Sequence, residues 1–425
     1  MKTADLKTEY TAPQRFGLRS AFTWRPLASL TPSSVADLLR RASMGDGYDF
    51  LIAADDIREK DLHYRAVLQT RALAVAGLPV ELAPADDSRA AKRAADLAQQ
   101  ALARLDLAAL LGHLMDGVAK GYAVAEILWD TAGSAWLPAA VLPREAHWFT
   151  FDRTTGAALR LVDGSPEGAA LPPYKMVFHA PSLSGGIPLT GGVARSALWA
   201  WVFKSYALRD WASFAELYGQ PIRLGRYGLE ATPDDIATLK SAVFGIGSDA
   251  AAVLPQGMAL EIVESGSKAA SAELYARLID YLDQQVSKAV LGQTMTTDSG
   301  SSRAQAQVHD EVRADLLRAD ARAIAATLTR DLITPLIRLN LGDAAPLPAL
   351  TLRVDEPEDM AALAQQVQQL SAAGLPIPQG WVRAKWGIPE PKAGEAVLGV
   401  GPQNPSQPGQ TGSNPAGMPT LQATH

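Results

Sequence analysis

Apolar positions in the first part of the chain recur at the spacing of amphipathic helices. Over residues 31–77 the pattern is helical, with Thr31-Pro32 as a start signal and Gly77-Leu78-Pro79 as the stop. A short strand over residues 78–82 should follow. The alanine-rich, charge-dotted sequence of residues 87–119 predicts two more helices.

A group of strands is expected next. Short apolar segments separated by Gly and Pro turns predict strands at residues 122–129, 136–142, 148–151 and 176–179. Helices followed by strands, rather than alternating with them, are typical of an α+β fold. The pattern does not suggest the doubly wound sheet of nucleotide-binding proteins.

Two long helices with a small segment between them dominate the middle of the chain. Uninterrupted helical patterns cover residues 193–218 and 271–291. The intervening residues 222–264 predict strands at 222–226, 251–254 and 260–263, with a helix that starts at Thr232-Pro233-Asp234. We therefore expect a compact α/β insert between two long helices.

Each of these helices carries more apolar surface than the insert could cover, which predicts packing between subunits. The residues expected at this interface are Trp199, Phe203, Tyr206, Phe214, Leu278, Leu282 and Val286. In the second helix, Asp283 falls on the opposite, polar face. A base-stacking platform is the alternative for the aromatic residues of the first helix, but apolar residues at helical spacing are more often packing surface.

A small, polar segment follows the second long helix. Residues 292–303 hold Gly, Thr and Ser and cannot bury apolar surface, so we expect a mobile loop before a third long helix over residues 304–340. Beyond Pro346 the sequence predicts a strand at 350–354, a helix after Pro357 and a small unit around Trp381 and Trp386. Residues 1–30 are expected to form an extended arm that needs a neighbour to order it, and the tail from about residue 401 to be disordered.

Composition narrows the class of protein. The 425 residues are 48% hydrophobic, contain no cysteine and carry a formal net charge of -6. No signal peptide and no apolar run of about 18 residues is present, which indicates neither secretion nor a membrane span and fits synthesis in the cytoplasm. With so little basic surplus, a protein of this kind should not grip DNA tightly.

Candidate chemistry is sparse. His309, Asp310 and Glu311, with Asp315 and Asp320, offer metal-ligand side chains, but consecutive helical residues point to different sides, so a solvated or inter-subunit polar face is favoured. The glycines of residues 185–192 lack the Gly-Lys-Ser/Thr of a phosphate loop, and a connection from strand to helix is favoured. No catalytic, cofactor-binding or metal-binding residue is predicted.

Three segments carry a specific resemblance, and they read KGYAVAEILW at residues 120–129, FKSYALRDW at 203–211 and YLDQQVSKAVLGQT at 281–294. They resemble the Mu-type portal proteins of tailed phages, and the likeness spans about residues 20–345. The resemblance implies a portal fold, with an α/β wing, two stem helices flanking a clip, a tunnel loop, a long helix and a mostly helical C-terminal part.

The resemblance also divides the chain. The implied parts are an arm (1–30), a wing (31–190), the first stem helix (192–218), a clip (222–264), the second stem helix (269–291), a tunnel loop (292–303), a long wing helix (304–345), a crown-like segment (346–400) and a tail (401–425).

The function implied is that of a non-enzymatic subunit of a Mu-like phage or prophage. Twelve copies would form a ring at one capsid vertex, and double-stranded DNA would pass through it without sequence recognition. The residues expected to meet DNA are Thr294, Thr296, Thr297, Ser299, Ser301, Ser302 and Arg303. The implied location is the virion, after synthesis in the bacterial cytoplasm.

The resemblance implies several further partners. These are the major capsid protein, the terminase large subunit, which would supply the energy of translocation, and a head-tail adaptor, with scaffold protein as a further candidate. Two alternatives stay open at this point. One is a metal-dependent DNA-processing enzyme centred on His309, Asp310 and Glu311, and the other is a head-tail adaptor, which is normally a shorter chain.

Overall fold

The structure is a computed structural model. It describes residues 4–15, 17–20, 30–181, 185–218, 222–245, 259–263, 268–294, 303–354 and 360–391. The chain divides into two compact units, Met1–Val354 and Asp355–His425.

The described residues form helices and antiparallel strands. The helices are α1 (Ala4–Lys7), α2 (Pro32–Ser43), α3 (Tyr48–Lys60), α4 (Leu62–Ala76), α5 (Arg89–Leu102), α6 (Leu107–Leu114), α7 (Asp116–Lys120), α8 (Ala194–Tyr218), α9 (Pro233–Gly245), α10 (Lys268–Leu291), α11 (Arg303–Leu328), α12 (Thr334–Leu341), α13 (Met360–Ala372) and α14 (Gln379–Trp386). The strands are β1 (Val80–Ala83), β2 (Ala123–Asp130), β3 (Leu137–Arg144), β4 (Phe149–Phe151), β5 (Leu159–Leu161), β6 (Ala169–Ala170), β7 (Met176–His179), β8 (Ile222–Arg226), β9 (Ala259–Val263) and β10 (Ala349–Leu352). The predicted α+β class is confirmed, and most of the regular structure is helical.

The start signal at Thr31-Pro32 begins α2 through a capping box. The backbone N–H of Ser34 donates to the Thr31 hydroxyl, and the Ser34 hydroxyl accepts from the backbone N–H of Thr31. The helical region predicted over residues 31–77 is three helices, because Gly47 and Asp61 begin new ones at α3 and α4.

Strand β2 lies at the centre of a three-stranded sheet in the order β3-β2-β7, with both pairings antiparallel. Side chains of a strand alternate between the two faces of its sheet. Ala123, Ala125 and Ile127 accordingly join one hydrophobic core, whereas Val124 joins the other. The sheet therefore separates the two main cores of the larger unit.

Each core draws on distant parts of the sequence. The first contains buried residues of α5, α6, α11 and α12, and the second contains those of α2, α3, α8 and α10. Strand β1 pairs antiparallel with β10, with Val80 opposite Leu352, which joins segments far apart in the chain. The short strands β5 and β6 pair beside β4. They were not predicted, because two or three residues are too few to show a period and these strands lack the aromatic residues that β4 contains.

The N-terminal residues differ from the expectation of an extended arm that needs a neighbour. Leu6, in α1, is fully buried in the first core. The carboxylate of Glu126 accepts hydrogen bonds from the backbone N–H groups of Tyr10 and Thr11, and the Lys175 ammonium donates to the Leu6 carbonyl. Residues 4–15 are therefore ordered by their own chain.

The insert between the long helices has the predicted form where it is described. Strands β8 and β9 pair antiparallel, with Ile222 opposite Val263, and α9 packs against β8. The strand predicted at residues 251–254 lies outside the described residues.

The third long helix is interrupted. A π-helical turn at Thr329–Ile333 separates α11 from α12, and Pro335 lies in the first turn of α12, where a missing N–H is tolerated. In the smaller unit, the described helices are α13 and α14. Within the described residues, no helix combines the length and apolar character needed to cross a membrane.

Candidate functional site

Helices α8 and α10 are two of the three longest helices in the described residues, and they pack against each other. With 25 and 24 residues, each is about 37 Å long. The rings of Phe214 and Tyr275 meet across the pair, with centroids 6.2 Å apart. We refer to α8 and α10 together as the helix pair.

The residues predicted to pack between subunits fall into three groups. Phe203 and Leu278 are exposed, at 47% and 42% of their possible surface. Trp199 and Tyr206 are half-buried against the second core of their own chain, and Phe214 and Leu282 are also half-buried. Val286 differs from the prediction of a contact between subunits. It is only 4% exposed within the second core of its own chain, so almost none of its surface is accessible to a neighbouring subunit.

Helix α10 carries an exposed apolar stripe that the sequence analysis identified only in part. Leu274, Leu278 and Tyr281 follow one another at spacings of four and three residues, which places them on one side of the helix. Leu274 is 68% exposed and Tyr281 is 57% exposed. We call these three residues the α10 stripe.

A buried ion pair holds the helix pair to α4. The Lys204 ammonium in α8 donates to Asp61 at 2.9 Å and to Asp283 in α10 at 2.6 Å. Burial disfavours the charged ammonium, but the hydrogen bonds to Asp283 and Asp61 outweigh that effect and raise the pKa of Lys204. Asp283 therefore faces a partner inside the chain, not the solvated side that the helical pattern indicated.

Helix α4 makes two further polar contacts with the long helices. The His63 ring lies 2.7 Å from the Ser287 hydroxyl in α10. Arg71 binds the Asp320 carboxylate in α11 with two hydrogen bonds, and it donates a third, at 2.7 Å, to the Val290 carbonyl in α10. Asp320 is among the metal-ligand side chains that the sequence offers, but the buried guanidinium of Arg71 binds both oxygens of its carboxylate.

Few of the residues predicted to contact DNA are described. Thr294 is half-buried three residues after α10, and Arg303 is the first residue of α11. Thr296, Thr297, Ser299, Ser301 and Ser302 lie outside the described residues.

The glycine-rich turn connects β7 to α8 by way of a short 3-10 turn at Pro188–Thr190. A Cβ atom at Gly192 would lie 2.6 Å from the carbonyl carbon of Lys120 and 2.7 Å from the backbone nitrogen of Gly121. The backbone at Gly192 lies directly against the backbone of Lys120 and Gly121. The glycine therefore allows these two segments to pack closely, and it does not indicate a phosphate-binding loop.

The described residues offer one group of three metal-ligand side chains, Asp55, Glu145 and His147. Asp55 is already bound by Arg58 and Lys120, each at 2.8 Å. Both cations lower the tendency of this carboxylate to attract a metal ion. For the alternative centred on residues 309–311, Glu311 is exposed, while the side chains of His309 and Asp310 lie outside the described residues.

Exposed apolar side chains on a long helix pair are typical of the class of proteins that assemble with other protein chains. The profile of the family described as "Portal protein of Mu bacteriophage" matches residues 51–388. The chain belongs to this family, which is structural and not enzymatic.

Two curated relatives cover nearly the whole chain. The portal protein of Escherichia phage Mu is 35% identical over 394 residues, which are 91% of this chain and 76% of the relative. The Mu-like prophage FluMu protein gp29 of Haemophilus influenzae is 33% identical over 413 residues, with 95% and 79% covered.

Solved structures are more distant in sequence. An HK97-family phage portal protein from Corynebacterium diphtheriae is 14% identical with a TM-score of 0.38, over 80% of this chain and 99% of that chain. A chain from the virion of a native gene transfer agent particle is also 14% identical, with a TM-score of 0.49, over 86% and 96%.

Proposed function

We propose that the protein forms the ring at one capsid vertex of a Mu-like phage or prophage, and that double-stranded DNA enters and leaves the capsid through this ring. The observation that carries the proposal is the family match over residues 51–388, together with a relative named as a portal protein. In this role the chain needs no ATP site, because a separate terminase supplies the energy.

Ring formation draws support from the helix pair. The α10 stripe exposes three large apolar side chains on one side of a helix. Large apolar side chains that are exposed next to one another favour a contact with another protein chain. We assign the stripe, together with Phe203 of α8, to the contact between neighbouring subunits, and the number of subunits to twelve by resemblance to portals.

Residues 292–303 are assigned to the lumen of the ring. Their Thr and Ser hydroxyls can donate to phosphate oxygens, and Arg303 adds one positive charge for each subunit. The net charge of -6 opposes tight binding, which suits a surface along which DNA must slide. Contacts of this type carry no sequence information, so the passage of DNA is non-specific.

The likeness to portals assigns the remaining parts. Residues 31–190 are proposed as the wing, 222–264 as the clip, 304–345 as the long wing helix and 346–400 as a crown-like segment. The partners proposed on the same ground are the major capsid protein, the terminase large subunit, the head-tail adaptor and scaffold protein. The proposed location is the virion.

The first experiment images the purified protein by negative stain and weighs it by mass photometry over a range of protein and salt concentrations. Closed rings with the mass of about twelve subunits support the proposal. Monomers alone under every condition, also after co-expression with scaffold protein, would refute it.

The second experiment tests the assignment of the loop. Residues 294–302 are replaced by a shorter Gly/Ser linker, and ring assembly is compared with the DNA content of particles. Because this segment contains no large apolar residue except Met295, we expect normal rings with reduced or unretained DNA. Normal DNA content would rule out a role on DNA, and failed assembly would make the loop a structural element.

A third measurement separates this function from a metal-dependent enzyme. We expect the purified ring neither to hydrolyse ATP nor to cut DNA. Cleavage of DNA that a chelator abolishes, and that the substitution His309→Ala removes, would favour the enzyme.

A further inference from the structure

The side chain of Arg71 joins three helices. From α4 its Nε and Nη2 atoms donate to the two carboxylate oxygens of Asp320 in α11, at 2.7 and 2.9 Å. Its Nη1 atom donates to the backbone carbonyl of Val290 in α10, at 2.7 Å. The residue is 8% exposed. One buried guanidinium from α4 therefore binds both α10 and α11.

The position of Val290 gives this contact a specific role. Val290 lies in the last turn of α10, which ends at Leu291, and the carbonyls of a last turn have no partner within the helix. Arg71 supplies the missing donor, and its positive charge also faces the negative end of the α10 dipole. The bond therefore fixes the end of the helix and not its middle.

The same helix end lies close to α11 at a second point. Gly292, directly after α10, has a φ of +70°. A Cβ atom there would lie 3.0 Å from the Val312 side chain and 3.5 Å from that of Leu316, both in α11. The end of α10 is thus linked to α11 through Arg71 and Asp320, and it approaches α11 closely at Gly292.

We propose that Arg71 is a positioning residue, which holds the end of α10 at a fixed place on α11 and so sets the position of Gly292, where the chain leaves α10. What this position means for DNA rests on the function proposed above for residues 292–303. The geometry favours arginine, because only a planar guanidinium can bind both carboxylate oxygens of Asp320 and still reach a carbonyl in another helix.

Distances between spin labels on α10 and α11 test the proposal directly. The chain contains no cysteine, so Ala289→Cys and Glu311→Cys introduce the two labelling sites alone. Both positions are exposed. The labelled protein is mixed with an excess of unlabelled protein, so that each assembly contains at most one labelled subunit.

In this background, Arg71→Met removes all three bonds, and Arg71→Lys keeps the charge but not the planar fork. We expect a shifted and broadened distance distribution for Arg71→Met and a smaller change for Arg71→Lys. The matched control is Arg144→Met, since Arg144 is also a buried arginine but binds Glu126 and Glu9, away from α10 and α11. Its distribution should equal that of the parent.

An Arg71→Met distribution as narrow as that of the parent, and centred at the same distance, would overturn the proposal. If Arg71→Met does not fold, the double variant Arg71→Met/Asp320→Leu removes both charges together and avoids an unpaired buried carboxylate. A parent-like distribution in this double variant would equally overturn it. The measurement uses neither capsid nor DNA, so a failure of the loop-shortening experiment would leave its outcome unaffected.

Discussion

The Lys204 ammonium lies 2.9 Å from the Asp61 carboxylate, and this carboxylate is also the N-cap of helix α4. Asp61 accepts hydrogen bonds from the backbone N–H groups of His63 and Tyr64 at 3.0 and 3.1 Å. One buried side chain thus begins α4 and neutralises a cation of α8. The helix pair is consequently fixed to the start of α4 by the same group that stabilises that start.

Two substitutions at Asp61 separate these roles. Asparagine remains a good N-cap but carries no charge, whereas alanine provides neither a cap nor a charge. We expect Asp61→Asn to lower the free energy of unfolding by about 3 kcal/mol, near the lower end for a broken buried pair because Asp283 still binds Lys204. Asp61→Ala should cost about 1 kcal/mol more, through loss of the cap.

Urea denaturation measures both effects. The exposed ion pair between Asp37 and Arg40 provides the control, and Asp37→Asn should cause no measurable change. Wild-type stability in Asp61→Asn would show that the charge of Asp61 contributes nothing to the fold.

A second prediction concerns two glycines of the same turn. Gly192 packs against the backbone of residues 119–121, whereas a Cβ atom at Gly185 would meet nothing within 4 Å. We expect Gly192→Ala to lower the free energy of unfolding by about 2 kcal/mol or more, because neither backbone can move aside. Gly185→Ala is the matched control and should leave it nearly unchanged. Equal urea midpoints for the two variants would contradict the close packing.

Much of the secondary structure was predictable, because its signals are local. The predicted strands at 176–179 and 222–226 have the observed bounds of β7 and β8, and Thr232-Pro233 begins α9 as expected. Long apolar periodicity likewise placed α8 and α10 within three residues at each end. A period or a cap is read within a few residues, whatever the rest of the chain does.

The polar contacts that hold these elements together were not predictable. Arg71 and Asp320 lie 249 positions apart, and Lys204 and Asp61 lie 143 apart. A charged residue on a helix has the same local pattern whether it faces water or an opposite charge from a distant segment. For this reason the helical pattern places Asp283 on the solvated side, although its carboxylate binds Lys204.

A third prediction concerns the dependence of stability on pH. His179 in β7 is buried, and its Nδ1 atom lies 2.9 Å from the Thr327 hydroxyl. Burial lowers the pKa of His179 from its ordinary value of 6.5 to about 4, although nearby Asp320 favours the protonated ring. Between pH 6.5 and 4, His179 is therefore protonated in the unfolded chain but stays neutral in the folded protein.

The sign follows from proton linkage. The contribution of His179 to stability is fully present above pH 6.5 and falls as the pH drops towards 4, by roughly 3 kcal/mol in total. His179→Gln should abolish this part of the decline. Unfolding free energies of both proteins are measured across the window, and their difference removes the contribution of the carboxylates. Parallel curves for the two proteins would mean that His179 is not held neutral.

The last prediction tests the α10 stripe as the contact between subunits. Leu274 and Leu278 are exposed within the chain, so Leu274→Ser/Leu278→Ser should change the free energy of unfolding of the monomer by less than about 1 kcal/mol. The same change should prevent ring closure, because polar side chains would then replace the apolar contact in every interface. Mass photometry measures assembly, and urea denaturation measures the stability of the subunit.

Met44→Ser, at an exposed position just after α2, is the control and should assemble normally. Rings formed by the double variant at the wild-type concentration would place the interface elsewhere on the molecule, whereas unfolding of the subunit would show that the stripe stabilises its own chain.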